Sequence, residues 1–237
     1  MKQLITGGCS FSECPSPWVD TWPKHLARSL PEYTHESTGM SCQGNGLISR
    51  RIIYQVTEAL KTHNADNLLV GIMWSGPSRH DLYLQHAPTM IKEDGFVENP
   101  TRFIPGGTGS WTIINHGWKM PIAQDYYRNF HDMIGQYIYT NEHILRVQWF
   151  LKLHNIRYFM GTYTNEVFRK TDYMDVKHLY DQIDFNHFLP VSGEYEWCRD
   201  SSGLEFPING DRHPSSEQHK LFTDQVILPF LKEKQYI

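Results

Sequence analysis

Apolar residues in this chain fall into short continuous runs that alternate with longer stretches of helical period. Gln3 to Thr6 is a short apolar run ending in Gly7-Gly8 and is expected to be a strand. A helix is expected from Trp22 to Leu30, with Asp20 or Thr21 as its cap and Pro23 in the first turn, where a missing N–H is tolerated. Tyr33 to Ser37 alternates with a period of two, as a second strand does. After a glycine-bearing loop at 39–46, Ile48, Ile52, Val56 and Leu60 recur on one face of a helix whose other face is charged. Leu68 to Trp74 is apolar throughout and bounded by Asn67 and Gly76-Pro77. It is too short for a helix and reads as a strand buried on both faces, near the centre of a sheet.

Beyond Gly76 the pattern changes. Up to Met120 it breaks into Pro, Gly and aromatic residues, among them Pro105-Gly106-Gly107-Thr108-Gly109-Ser110-Trp111, which reads as irregular. From Ile122 to His154 a long helical region carries Ile134, Ile138, Leu145 and Phe150 at helical intervals, with Gly135 as a point of division. Ile156 to Met160 supplies another strand. Tyr163 to Asn209 is irregular and aromatic, and a closing helix from Ser216 to Leu228 presents Leu221, Phe222 and Val226 on one side, with Pro229 limiting its continuation.

Strands that alternate with helices imply a mostly parallel sheet covered on both faces. The expected architecture is a three-layer α/β/α sandwich of the flavodoxin-like kind. It is one domain over 1–237, with irregular insertions at about 77–120 and 163–209. In such sheets ligands bind beyond the carboxyl ends of the strands, so the residues following strands matter most.

Composition narrows the function classes. Of 237 residues 40% are hydrophobic and 20% charged, which suits a globular domain rather than a disordered one. A net charge of −4, with no basic run beyond Arg50-Arg51, offers nothing to attract nucleic acid or an anionic membrane. No apolar run approaches the length of a membrane span. The stretch before Cys9 resembles a lipoprotein cleavage site only superficially, because no apolar segment of signal-peptide length precedes it. Four cysteines without metal-type spacing are expected to be reduced thiols of a cytoplasmic protein.

Four segments sit where a site is expected: Gly8-Cys9-Ser10-Phe11-Ser12, Gly44-Asn45-Gly46, Trp74-Ser75-Gly76 and Gly210-Asp211-Arg212-His213-Pro214. A serine hydroxyl attacks well only when a positioned base takes its proton, and Ser10 and His213 fit those roles. Asp211, two residues before His213, would project to the same side in extended backbone and hold the imidazole tautomer. Small residues such as Gly44 let backbone N–H groups approach a developing oxyanion. The hole is assigned to Ser10 and Gly44 N–H, with Asn45 and Ser75 as further donors. Arg79 and Trp111 are candidates for holding substrate.

In order and topological position these segments resemble the SGNH, or GDSL-type, family of lipases and esterases. There a serine follows the first strand, a glycine and an asparagine come from the next two loops, and an Asp-x-x-His-Pro block precedes the last helix. The chain departs from that pattern in having Cys9 where the family has Asp, and Ser75 where it has the asparagine. Its acid also stands two rather than three residues before the histidine. Losing one oxyanion donor typically costs about 3 kcal/mol, on the order of a hundredfold in rate. The resemblance implies a serine esterase that needs no cofactor and no metal and acts on a small-molecule or glycan ester. With the aromatic insertion it suggests an acetyl group on a carbohydrate. The rival readings are a non-catalytic glycan-binding or structural module of the same fold and an O-acyltransferase.

Alternative chemistry is weaker. Ser10 and Ser12 also suit turn capping. Strand alternation points Cys9 opposite to Ser10, which disfavours a thiol nucleophile. His213 and His219 are six residues apart, a spacing that does not return to one helix face, so they do not make a metal site.

Overall fold

The structure, a computed structural model, describes all residues except 1, 15, 17, 85–89, 92–96, 99–100, 103–109, 117–119, 169–171 and 208–212. Its strands are β1 (Lys2–Gly8), β2 (Tyr33–Ser37), β3 (Leu68–Trp74), β4 (His80–Leu84), β5 (Met90–Ile91), β6 (Val97–Glu98), β7 (Thr101–Arg102), β8 (Ser110–Ile114) and β9 (Arg157–Thr162). The helices are α1 (Trp22–Ser29), α2 (Asn45–Ala59), α3 (Pro121–Asn129), α4 (Met133–Leu153), α5 (Met174–Tyr180), α6 (Glu194–Ser201), α7 (Ser216–Phe222) and α8 (Leu228–Glu233).

β1, β2, β3 and β9 form a parallel sheet in the order β2-β1-β3-β9. Strand alternation divides its side chains between two cores. Ile5, Val70, Ile72, Trp74, Tyr158 and Met160 face α2 and α4, where Ile48, Ile52, Val56, Ile144 and Leu151 meet them. On the other face Leu4, Leu69, Met73 and Phe159 meet Trp22 and Leu26 of α1 and Phe222 of α7. All seven residues of β3 are buried, as its unbroken apolar run requires. The result is the expected three-layer α/β/α arrangement.

The expected long helix is two. α3 ends at Asn129, and α4 starts afresh at Asp132, whose carboxylate accepts the Gly135 N–H at 3.0 Å. The break lies before Gly135 because an N-cap carboxylate offers the free N–H groups a partner there. The closing helix runs past Pro229 to Glu233. Thr223–Ile227 widens into a π-helical turn, Leu228 N–H reaching the Thr223 carbonyl, so the proline falls in the first turn of α8. The stretch from Tyr163 onward, expected to be irregular, holds α5 and α6. The segment after Gly76 is also more regular than its composition suggested. β4, β8 and β7 make an antiparallel sheet, with Trp111 inside β8 opposite Tyr83. Residues 103–109 lie outside the described residues.

Candidate active site

β1 ends in a tight turn. Ser12 and Glu13 N–H both donate to the Cys9 carbonyl, at 2.9 and 3.0 Å. Gly8 is required there: its φ is +154°, and a Cβ would lie 2.2 Å from Ser12 Oγ and 2.7 Å from the Met73 carbonyl oxygen. Ser12 holds the turn from below, accepting Trp22 Nε1–H at 3.1 Å on its hydroxyl and Thr21 Oγ1–H at 2.8 Å on its carbonyl. Ser10 sits on this turn, nearly buried.

His213 arrives from the far end of the chain, just ahead of α7. That helix is anchored by a capping box in which Gln218 N–H donates to Ser215 Oγ (3.1 Å) and Ser215 N–H to Gln218 Oε1 (2.9 Å). Its position puts His213 Nε2 2.8 Å from Ser10 Oγ, and the Phe11 ring lies 5.3 Å from the imidazole. Asp211 lies outside the described residues.

The two open on a cavity of about 570 Å³. Val19, Pro207 and Pro214 give it apolar wall, while Arg79, Asn115, Ser41 and Cys42 supply polar groups. Arg79 is half-buried, with Nη1 donating to Ser75 Oγ at 2.9 Å and its guanidinium 5.2 Å from the Tyr163 ring. Burial works against its charge, but the neighbouring Cys9, Tyr163 and Cys42 side chains hold its pKa above the ordinary value.

The remaining groups assigned to the oxyanion hole are engaged elsewhere. Gly44 N–H donates to Asp81 Oδ1 at 3.1 Å, and Leu47 N–H to Asp81 Oδ2 at 3.0 Å. The start of α2 leaves N–H groups unpaired, and a buried carboxylate has taken them. Burial pushes Asp81 up to about 6, against the pull of those two N–H groups, Arg50 and Arg79. Asn45 brackets the backbone of Ser75: Nδ2 donates to the Ser75 carbonyl at 3.0 Å and Oδ1 accepts the Ser75 N–H at 2.8 Å. Gly44 therefore ties the start of α2 to β4, Asn45 and Ser75 fasten it to the end of β3, and Ser10 alone of the four lines the cavity.

Of the two substrate candidates, Arg79 lines this cavity and Trp111 does not. Trp111 packs against Arg50, whose guanidinium lies 4.4 Å from its ring, and against Tyr83. Sequence reasoning missed Ser41, Cys42 and Asn115. Asn115 follows β8 as a site residue should follow a strand, but β8 was hidden in a segment read as irregular.

A parallel sheet in the order β2-β1-β3-β9, with helices on both faces and a serine and a histidine meeting beyond its carboxyl edge, defines an α/β/α sandwich of the flavodoxin-like kind. Among solved structures, that of TesA shares this fold, with a TM-score of 0.53 and 12% identity over 98% of this chain and 99% of that one. A member of the lipolytic protein G-D-S-L family from Veillonella parvula DSM 2008 superposes with a TM-score of 0.46 and 12% identity, over 98% and 97% of the two chains. At 12% identity the likeness to TesA is one of fold. No protein-family model matches the chain, and no curated protein matches it in sequence.

Proposed function

We propose that the protein is a divergent serine hydrolase of the SGNH type that cleaves a small acyl ester. The observation that carries this reading is the 2.8 Å contact between Ser10 Oγ and His213 Nε2 at the mouth of a cavity. That distance is within reach for proton transfer. His213 Nε2 takes the hydroxyl proton as Ser10 Oγ bonds to the ester carbonyl carbon. The same proton then passes to the leaving alcohol as the C–O bond breaks, leaving acyl-Ser10. Water, deprotonated by His213, attacks the acyl carbon; the bond from that carbon to Ser10 Oγ breaks, His213 returns the proton to Oγ and the acid leaves. Asp211 is assigned the role of holding the other imidazole proton. No metal or cofactor takes part in this scheme.

Ser10 N–H is one oxyanion donor. The second is assigned to the Asn115 side chain, which lines the same cavity and offers the amide that the segment after β3 lacks. The apolar wall at Val19, Pro207 and Pro214 suits a short acyl chain, an acetyl group on a carbohydrate being the favoured example. A purely glycan-binding module would have no use for the serine and histidine pair.

The test is turnover of p-nitrophenyl acetate and butyrate, together with labelling of Ser10 by a fluorophosphonate probe. Both are expected, and both should vanish in Ser10→Ala. Failure of the native protein to turn over or label would overturn the reading. Product analysis with a sugar acceptor separates hydrolysis from transfer of the acyl group to a hydroxyl.

A further inference from the structure

On the other side of Arg79 lies a second cavity, of about 500 Å³, that neither Ser10 nor His213 lines. Arg50, one turn into α2, reaches into it half-buried. Among the described residues its guanidinium has no ion pair and no hydrogen bond. Its contact among them is the face of Trp111, which uses none of its N–H donors.

A second donor converges on the same place. His143 Nδ1 lies 2.9 Å from Arg146 Nη2, and an arginine can only donate, so Nδ1 is the acceptor. Burial, with Arg146 and Arg50 nearby, pushes His143 down to about 3, so the ring is neutral at pH 7 and its proton sits on Nε2. The floor between the two donors is Gly46. A Cβ there would lie 2.8 Å from Arg50 Nη1 and 3.2 Å from His143 Nε2. The carboxylate that also lines the cavity, Asp81, turns its oxygens to Gly44 and Leu47 N–H. Tyr126, Tyr139 and Phe130 complete the wall with ring surface, and His80 stacks on Tyr126 at 4.4 Å.

We propose that this cavity is a binding site for a small oxyanion-bearing molecule, its carboxylate or phosphate held by Arg50 and His143 over Gly46 and its body resting on the aromatic wall. An arginine fork with unused N–H groups beside a neutral imidazole donor matches the geometry of such an anion. The volume admits one sugar-sized ring. The site does not depend on the proposed chemistry at Ser10.

Isothermal titration with D-glucuronate and with inorganic phosphate, and with D-glucose as the neutral control, tests the proposal. At least one anion is expected to bind saturably and to quench tryptophan fluorescence through Trp111, while glucose does not bind. Binding of phosphate alone points to a phosphate-bearing ligand, and of glucuronate alone to a carboxylate-bearing one. Arg50→Gln should weaken binding by about tenfold or more. Gly46→Ala, which favours the helix and closes the floor, should do the same in a protein at least as stable as the original. Ser10→Ala should bind as the unsubstituted protein does, so that this result is read apart from any failure of the esterase assay. Absence of saturable binding by either anion, or an affinity in both cavity variants unchanged from that of the unsubstituted protein, would overturn the proposal.

Discussion

Ser10 and Asn115 reach one cavity from two different sheets, Ser10 from the end of the first strand of the parallel sheet and Asn115 from the end of β8. If the Asn115 amide meets the oxyanion, its contribution appears only in the transition state. Asn115→Ala should then lower kcat on p-nitrophenyl acetate by roughly a hundredfold with KM little changed. A rise in KM with kcat intact would assign Asn115 to substrate binding instead. Ser10 was legible in the sequence because a serine just after a glycine-terminated first strand is a local feature. Asn115 was not, because nothing in residues 105–111 announces that a strand begins at Ser110.

The elements show how α2 is held at its start. Asp81, from β4, caps it across a gap of more than thirty residues in sequence. Its folded pKa is about 6, against an ordinary 3.8. Between those values the folded state keeps a proton that the unfolded chain has lost, so stability falls as pH rises from about 4 to 6 and is level above. Two pH units correspond to about 3 kcal/mol. Asp81→Asn does not titrate. Relative to the unsubstituted protein it should therefore gain roughly 3 kcal/mol between pH 4 and pH 7. Urea denaturation of both proteins at each pH checks this, and a pH-independent difference would show that the carboxylate titrates normally. The faces of α2 were readable from Ile48, Ile52 and Val56, since burial follows helical period. The identity of the cap was not, since the partner comes from another element.

Across the whole molecule, α6 and α7 are joined by a buried pair: His219 Nδ1 lies 2.6 Å from Glu194 Oε1, and both side chains are fully enclosed. Burial raises the Glu194 pKa, with the His219 contact pulling the other way. Because α7 follows directly on His213, this pair also steadies the segment that delivers the histidine. His219→Leu leaves a buried carboxyl group without its partner and should cost about 3–5 kcal/mol. The double variant with Glu194→Leu should recover a good part of that loss, since neither polar group is then stranded. Chemical denaturation of the three proteins measures it, and strictly additive losses would show that the two side chains do not interact.

The sequence by itself determined the α/β/α layering, the two faces of the sheet and the two residues that meet at its carboxyl edge. These follow from periodicity and from position after a strand or before a helix, which are properties of neighbouring residues. It did not determine which donors face the cavity. Gly44, Asn45 and Ser75 looked like oxyanion donors because of their residue types and place in the chain, yet Asp81 and Asn45 itself engage those N–H groups. Nor did it show that Arg50 and His143, nearly a hundred residues apart, converge over Gly46. A hydrogen-bonding group goes to whichever partner the fold brings within reach, and that competition among distant residues is settled only when the chain is packed.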